Sequence, residues 1–222
     1  MVPESIQRWR NFDTILLDMD GTILDLAYDN YFWLELVPRA LARSRRRDPA
    51  DMRTELFARF AEMRGTLEWY CLDHWSEELS LDLRALKSAS SHRISYLPGA
   101  AAFLGNLRAT GKLVAVVTNA HRHTLETKKG VAGLGRHIDT FVSSHDFGMP
   151  KESAGFWDCA RRQLGYDPAR TLFIDDSQSV LDAAASAGIG QVFAIGRPDW
   201  SRQSRLVERH PNIEALGTLL DF

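Results

Sequence analysis

Five short runs of the chain are apolar with little interruption, and segments of helical spacing lie between them. The runs are Thr14-Ile15-Leu16-Leu17, Lys112-Leu113-Val114-Ala115-Val116-Val117, Thr140-Phe141-Val142-Ser143, Thr171-Leu172-Phe173-Ile174 and Gln191 to Ile195. A strand with one wet face alternates between apolar and polar residues. A run without alternation predicts a strand covered on both faces, as in a parallel sheet. Helices are predicted over 100–110, 121–129, 152–164 and 178–187. Gly111, Gly165 and Gly188 stop three of them, and Gly130, Gly133 and Gly135 break the one that starts at 121. Strands alternating with helices of this length predict right-handed βαβ crossovers and an open parallel sheet, an α/β Rossmann-like architecture.

From Asp25 to about Arg93 the pattern changes to helical spacing alone. Tyr31, Phe32, Leu34, Leu36 and Val37 form one apolar face, and Pro38 begins or kinks the next segment. Four arginines, Arg43, Arg45, Arg46 and Arg47, suit the C-terminal end of a helix as a solvated cluster; an anion patch is the alternative. Asp48-Pro49 marks a helix start, and Met52, Leu56, Phe57, Phe60 and Met63 follow at helical spacing up to Gly65. Thr66 caps the aromatic segment Leu67 to Trp75, and one more helix is predicted over 81–93. Aromatic residues at helical spacing form a core; the alternative is a wall that stacks on a flat substrate. Tyr28, Tyr31, Trp33, Trp69 and Trp75 are the candidates for such a wall. This organisation predicts a catalytic core over 1–24 and 94–222, with a small all-helical cap, 25–93, inserted after the first strand.

The chain has 222 residues, enough for one full core and a small appended unit. Its net charge of -2 predicts no general attraction to nucleic acid. The start, Met1-Val2-Pro3-Glu4, lacks a basic region followed by an apolar stretch, and no run is long enough to span a membrane. Cys71 and Cys159 are the two cysteines and form no CxxC pair, which favours a reduced, cytoplasmic setting. The oligomeric state is not predicted.

Polar residues follow the C-terminal ends of three predicted strands: Asp18-Met19-Asp20-Gly21-Thr22, Thr118-Asn119 and Asp175-Asp176-Ser177. Those ends line the crevice where open parallel sheets bind ligands. Lys151, after the third strand, is predicted to reach the same rim. Taken singly, each has an ordinary reading: a capped turn, an N-cap, a solvated surface lysine. Together they describe a site. Carboxylates two positions apart repel unless a cation sits between them or one holds a proton. Clustered carboxylate oxygens suit Mg2+, which keeps positions for water and phosphate. An anionic Asp also serves as a nucleophile. The residues therefore predict metal-assisted phosphoryl transfer. His121 and His123 are spaced like possible ligands but are predicted to be helix-start residues, with His121 a weaker candidate for a substrate contact.

The four groups resemble, in order, the four motifs of the haloacid-dehalogenase-like (HAD) hydrolases. Further stretches, many in the helical insertion, resemble the bacterial GMP/IMP 5'-nucleotidase group. These are Leu24-Asp25-Leu26-Ala27, Asp29 to Trp33, Leu36-Val37-Pro38, Trp69 to Asp73, Thr118 to His121 and Pro150-Lys151-Glu152. Many phosphatases of the wider family carry Gly-Lys-Pro at the third motif, where this chain has Gly148-Met149-Pro150-Lys151-Glu152. Were Lys151 not the third-motif lysine, Lys128 or Lys129 would have to replace it. The resemblance implies Asp18 as nucleophile and Asp20 as general acid and base, an acid that dehalogenases lack. It implies Mg2+ held by Asp18, the Asp20 carbonyl and Asp175, with Asp176 close by or acting through water, and phosphate bound by Thr118, Asn119 and Lys151. The implied substrate is a small phosphate ester, a nucleoside monophosphate such as GMP or IMP. A sugar-phosphate phosphatase or phosphomutase, or a non-catalytic binding module, are the alternatives.

Overall fold

The computed structural model describes residues 9–221. Met1-Val2-Pro3-Glu4 lies outside them. The sheet has six parallel strands in the order β3-β2-β1-β4-β5-β6. These are β1 Thr14–Leu17, β2 Leu113–Thr118, β3 Thr140–Ser143, β4 Thr171–Asp175, β5 Gln191–Ile195 and β6 Asn212–Ile213. Five occupy the predicted runs. The sixth is too short to leave a periodic signal.

Both faces of the sheet are covered, which explains the unbroken apolar runs. Ile15 and Leu17 of β1, with Val114, Val116, Leu172 and Ile174, join one buried cluster; it includes Phe103, Leu104 and Leu107 of helix α7 (Ala100–Arg108) and Leu125 of α8 (Arg122–Ala132). Leu16, Ala115, Val117 and Phe173 point the other way. They meet Phe156, Trp157 and Ala160 of α9 (Ala154–Leu164) and Val180, Leu181 and Ala184 of α10 (Gln178–Ser186). The α8 helix continues through Gly130 and ends at Gly133, φ +65°, later than predicted. A helical glycine costs only about 1 kcal/mol against alanine, which packing of the helix offsets.

Between β1 and α7 the chain is helical, as predicted. The elements are α1 Ala27–Tyr31, a π-turn Phe32–Leu36, α2 Val37–Arg45, α3 Pro49–Met63, α4 Leu67–Tyr70, α5 Leu72–Leu79 and α6 Leu83–Ala89. Pro38 does not break the run. Val37 N–H bonds to Phe32 O, five residues back, and this wider turn precedes the proline. Asp48 accepts from Ala50 N–H at 2.7 Å and Thr66 from Trp69 N–H at 3.3 Å, the predicted caps. The last predicted helix is shorter: Asp82 caps it, it ends at Ala89, and a 3-10 turn Ser91–Arg93 follows. The arginines that close α2 are exposed, and Arg47 pairs with Glu55.

The insertion has its own core, built from Phe32, Val37, Leu41, Met52, Leu56, Leu72, Trp75, Leu79 and Leu83. Trp33 and Trp69 pack against it, and Tyr28 is buried with its hydroxyl donating to Lys87 O. Most of the candidate wall aromatics are therefore interior to the insertion. No helix among the described residues is long and apolar enough to cross a membrane.

Candidate active site

The register brings the three polar strand ends together. Leu17, the last residue of β1, lies beside Val116 and Ile174. Asp18 continues the line, its N–H donating to Ile174 O at 2.9 Å. Its neighbour across the sheet is then Asp175, the last residue of β4. The turn after Asp18 depends on Gly21, at φ +85°. A Cβ there would stand 2.9 Å from Asp176 Cγ, so a side chain would push this turn off the acidic pair.

Lys151 fills the centre. Its ammonium lies 2.5 Å from Asp18 Oδ1, 2.7 Å from Asp175 Oδ2 and 3.2 Å from Val117 O. Lys151 and Asp175 are 2% and 1% exposed and Asp18 is 5% exposed, so these charges are desolvated and depend on one another. The lysine backbone is gripped on both sides. Its N–H donates to Asn119 Oδ1 at 2.9 Å, and Trp157 Nε1 donates to its carbonyl at 2.8 Å. Thr118 Oγ1 accepts from Ala120 N–H at 3.0 Å, shaping the loop that carries Asn119. Asp176 accepts from Arg205 at 2.9 Å, and Asp175 Oδ1 accepts from Ser177 N–H at 2.7 Å.

Burial pushes the Asp18 carboxyl well above its ordinary range against the pull of Lys151, with Asp175, Asp20 and Asp176 adding to the rise. Burial and then Asp175 push Asp176 up to about 7. Burial also raises Asp20, while Lys128 opposes it. The Lys151 ammonium is held above its ordinary value because Asp175 and Asp18 outweigh its burial.

Asp18, Asp175 and Asp176 each offer a carboxylate oxygen within 4.8 Å of the others. Hard, anionic oxygens gathered in this way fit a Mg2+ ion. The predicted residues thus meet: Asp18, Lys151, Asp175 and Asp176 directly, and Asn119 through the Lys151 backbone. Asp20 lies on the same turn and pairs with Lys128 rather than Lys151. Lys128 and Lys151 are therefore separate features of the site, not substitutes.

Further side chains border this site; of these, sequence offers His121 as a candidate substrate contact and Lys128 only as a substitute for Lys151, and assigns Glu152 no part of its own. Glu152 accepts from Asn119 Nδ2 at 3.0 Å and from the Tyr70 hydroxyl, on the insertion, at 2.7 Å. His121 caps α8 and places Nε2 3.4 Å from Asp73 Oδ2 of the insertion. Lys128 is 1% exposed and contacts Asp20 and Asp29. A signal for Lys128 was present: it follows Thr124 by four and Leu125 by three, on the inward stripe of α8.

The haloacid dehalogenase-like hydrolase family model matches residues 12–188. The chain belongs to this family of hydrolases. It is 41% identical over 212 residues to the GMP/IMP nucleotidase YrfG of Escherichia coli, covering 96% of each chain. It is 28% identical to a phosphoglycolate phosphatase of Mesorhizobium japonicum, over 79% of each. Among solved structures, a HAD phosphatase from Thermococcus onnurineus superposes with a TM-score of 0.80, covering 94% of this chain and 96% of that one at 22% identity. That likeness supports the HAD fold.

Proposed function

We propose that this hydrolase is a Mg2+-dependent 5'-nucleotidase acting on purine nucleoside monophosphates such as GMP and IMP. The observation that carries the reading is Lys151 bridging Asp18 and Asp175 beside Asp176, at the ends of two adjacent parallel strands. The 41% identity to a GMP/IMP nucleotidase extends across the insertion, which supports the substrate class. A sugar-phosphate phosphatase is the second reading; the more distant likeness to a phosphoglycolate phosphatase supports only hydrolysis of a small, non-nucleotide phosphate ester.

Asp18 attacks phosphorus, an aspartyl-phosphate bond forms, and the bond from phosphorus to the ester oxygen breaks. Asp20 gives that oxygen its proton, then takes one from the water that hydrolyses the aspartyl-phosphate, which regenerates Asp18 and releases phosphate. Lys151 neutralises Asp18 and the phosphoryl oxygens, and Thr118 and Asn119 bind the remaining oxygens at the start of the following helix. Mg2+, held by Asp18, the Asp20 carbonyl, Asp175 and Asp176, would supply charge neutralisation for phosphoryl transfer.

Residues 25–93 serve as a cap over a core formed by 1–24 and 94–222. Asp18 is only 5% exposed, so its carboxyl must become more accessible before substrate binds, and lifting of the cap would provide this. The unpaired thiols of Cys71 and Cys159 support a cytoplasmic setting. The test is phosphate release with Mg2+ across nucleoside monophosphates and sugar phosphates. GMP and IMP are expected to lead, and Asp18→Asn to abolish turnover. An Asp18→Asn variant with normal turnover removes the nucleophile assignment; preference for sugar phosphates favours the second reading.

A further inference from the structure

A chain of alternating charges runs from the interior of the insertion to Asp20. Lys87, on α6, donates to Asp29 Oδ1 at 2.9 Å. The other oxygen of Asp29 accepts from Lys128 at 2.5 Å, and Lys128 donates again to Asp20 Oδ1 at 2.5 Å. The two lysine side chains are 3% and 1% exposed, and those of Asp29 and Asp20 are 15% and 19% exposed. Lys87 also lies over the rings of Tyr28 and Phe32, 5.2 and 4.4 Å from their centroids. We propose that Lys128 is a positioning residue for Asp20, held in place by Asp29 and Lys87 of the insertion. The proposal deepens the phosphatase reading and rests on it.

Buried ion pairs are seldom the most stable way to fill space, because desolvation of each charge offsets the attraction. Apolar side chains of similar size would join the insertion to the sheet at lower cost. What such side chains cannot do is fix one carboxyl oxygen. Lys128 occupies Oδ1 of Asp20, which leaves Oδ2 to carry the proton that the leaving oxygen receives. Asp29 divides its two oxygens between the two lysines, so Lys128 cannot swing away without vacating one oxygen of Asp29 as well as Oδ1 of Asp20. Half of the chain, Lys87 and Asp29, belongs to the insertion; the other half, Lys128 and Asp20, belongs to the sheet and its helix. Seating the insertion therefore completes the support behind the acid.

The measurement separates acid-dependent from acid-independent leaving groups. A nucleoside departs as an alkoxide that needs a proton, whereas p-nitrophenol departs as a stable anion. The kcat/KM of the full chain with Mg2+ is compared on GMP and on p-nitrophenyl phosphate. Lys128→Met is expected to lose about a hundredfold or more on GMP, the range of general-acid catalysis, and far less on the nitrophenyl ester. Lys128→Arg is expected to recover part of the loss on GMP. If Lys128→Met gives no cooperative melt, Asp29→Asn, close in shape to the native side chain, decides with the same comparison. Equal losses on the two esters, or none on either, overturn the positioning role while leaving the phosphatase reading intact. A native chain that releases phosphate from neither ester removes that reading and this proposal with it.

Discussion

The hydroxyl of Tyr70 donates to Glu152 at 2.7 Å, joining the helical insertion to the residue that follows the buried Lys151. The other oxygen of Glu152 holds the Asn119 amide, whose carbonyl accepts from Lys151 N–H. One side chain of the insertion is thereby linked to the loop after β2 and the loop after β3. Burial and the Glu152 carboxylate raise the phenol well above its ordinary value, so it remains a donor at neutral pH.

Tyr70→Phe removes that donor and leaves Glu152 one partner short. A hydrogen bond to a charged group is worth about 1.5–3 kcal/mol. The variant is expected to lower Tm by several degrees and to raise KM for the phosphate ester through a less well-placed Asn119. Thermal melts and steady-state kinetics check this. Unchanged Tm and KM together show that the link carries no weight.

The sheet and the acidic rim were legible because each follows from a local rule. Strands covered on both faces must be apolar throughout, and strand ends in a parallel sheet converge on one edge. Ile15 and Leu16 illustrate the first rule, facing opposite clusters from adjacent positions. What escaped depends on contacts between distant segments. A lysine at position 128, though on the inward stripe of its helix, has no evident partner until Asp20 and Asp29, 108 and 99 positions away, arrive beside it. Trp75 and Tyr70 are five positions apart in one aromatic stretch, yet Trp75 is buried inside the insertion and Tyr70 reaches Glu152. Composition does not distinguish those fates; the packing of the insertion on the sheet does.

Gly99 opens α7 where the chain returns from the insertion. It has φ +75°, and a Cβ there would stand 2.4 Å from Gly217 Cα. Backbone cannot yield as a flexible side chain does, so Gly99→Ala adds a clash to the cost of the left-handed conformation, itself about 1–3 kcal/mol. Gly111 has a similar φ of +71° with nothing within 4 Å of its Cβ position. Gly99→Ala is expected to melt well below Gly111→Ala, and denaturation midpoints measure the difference. Equal midpoints mean that the two loops separate freely.

Burial and then the neighbouring His121 push the His145 imidazole down from 6.5 to about 4. The unfolded chain takes up this proton near 6.5 and the folded chain only near 4. Between those values the unfolded state binds more protons, so stability falls as the pH drops from 6.5 to 4 and is unaffected by this group above 6.5. His145 Nε2 is buried without a hydrogen-bond partner among the described residues, so the folded state offers an added proton no acceptor there. His145→Asn is expected to flatten the decline in Tm across that window. Parallel curves for the two proteins count against the assignment.

Three carboxyl groups, those of Asp18, Asp175 and Asp176, gather beside the ammonium of Lys151 and the guanidinium of Arg205. Arg205 lies toward solvent, its side chain 56% exposed, so it neutralises less than a buried partner does. The buried cluster is left short of positive charge, which a divalent cation would supply. Binding to the folded state alone stabilises by about 2.7 kcal/mol at a hundredfold excess over Kd. Mg2+ is therefore expected to raise Tm by several degrees in the native chain, a chelator to reverse the rise, and phosphate release to follow the same titration. In Asp175→Asn the cluster loses a ligand charge while the side chain keeps its shape, and the Mg2+-induced rise is expected to shrink or vanish. A full rise in that variant places the cation elsewhere and withdraws Asp175 from the metal site.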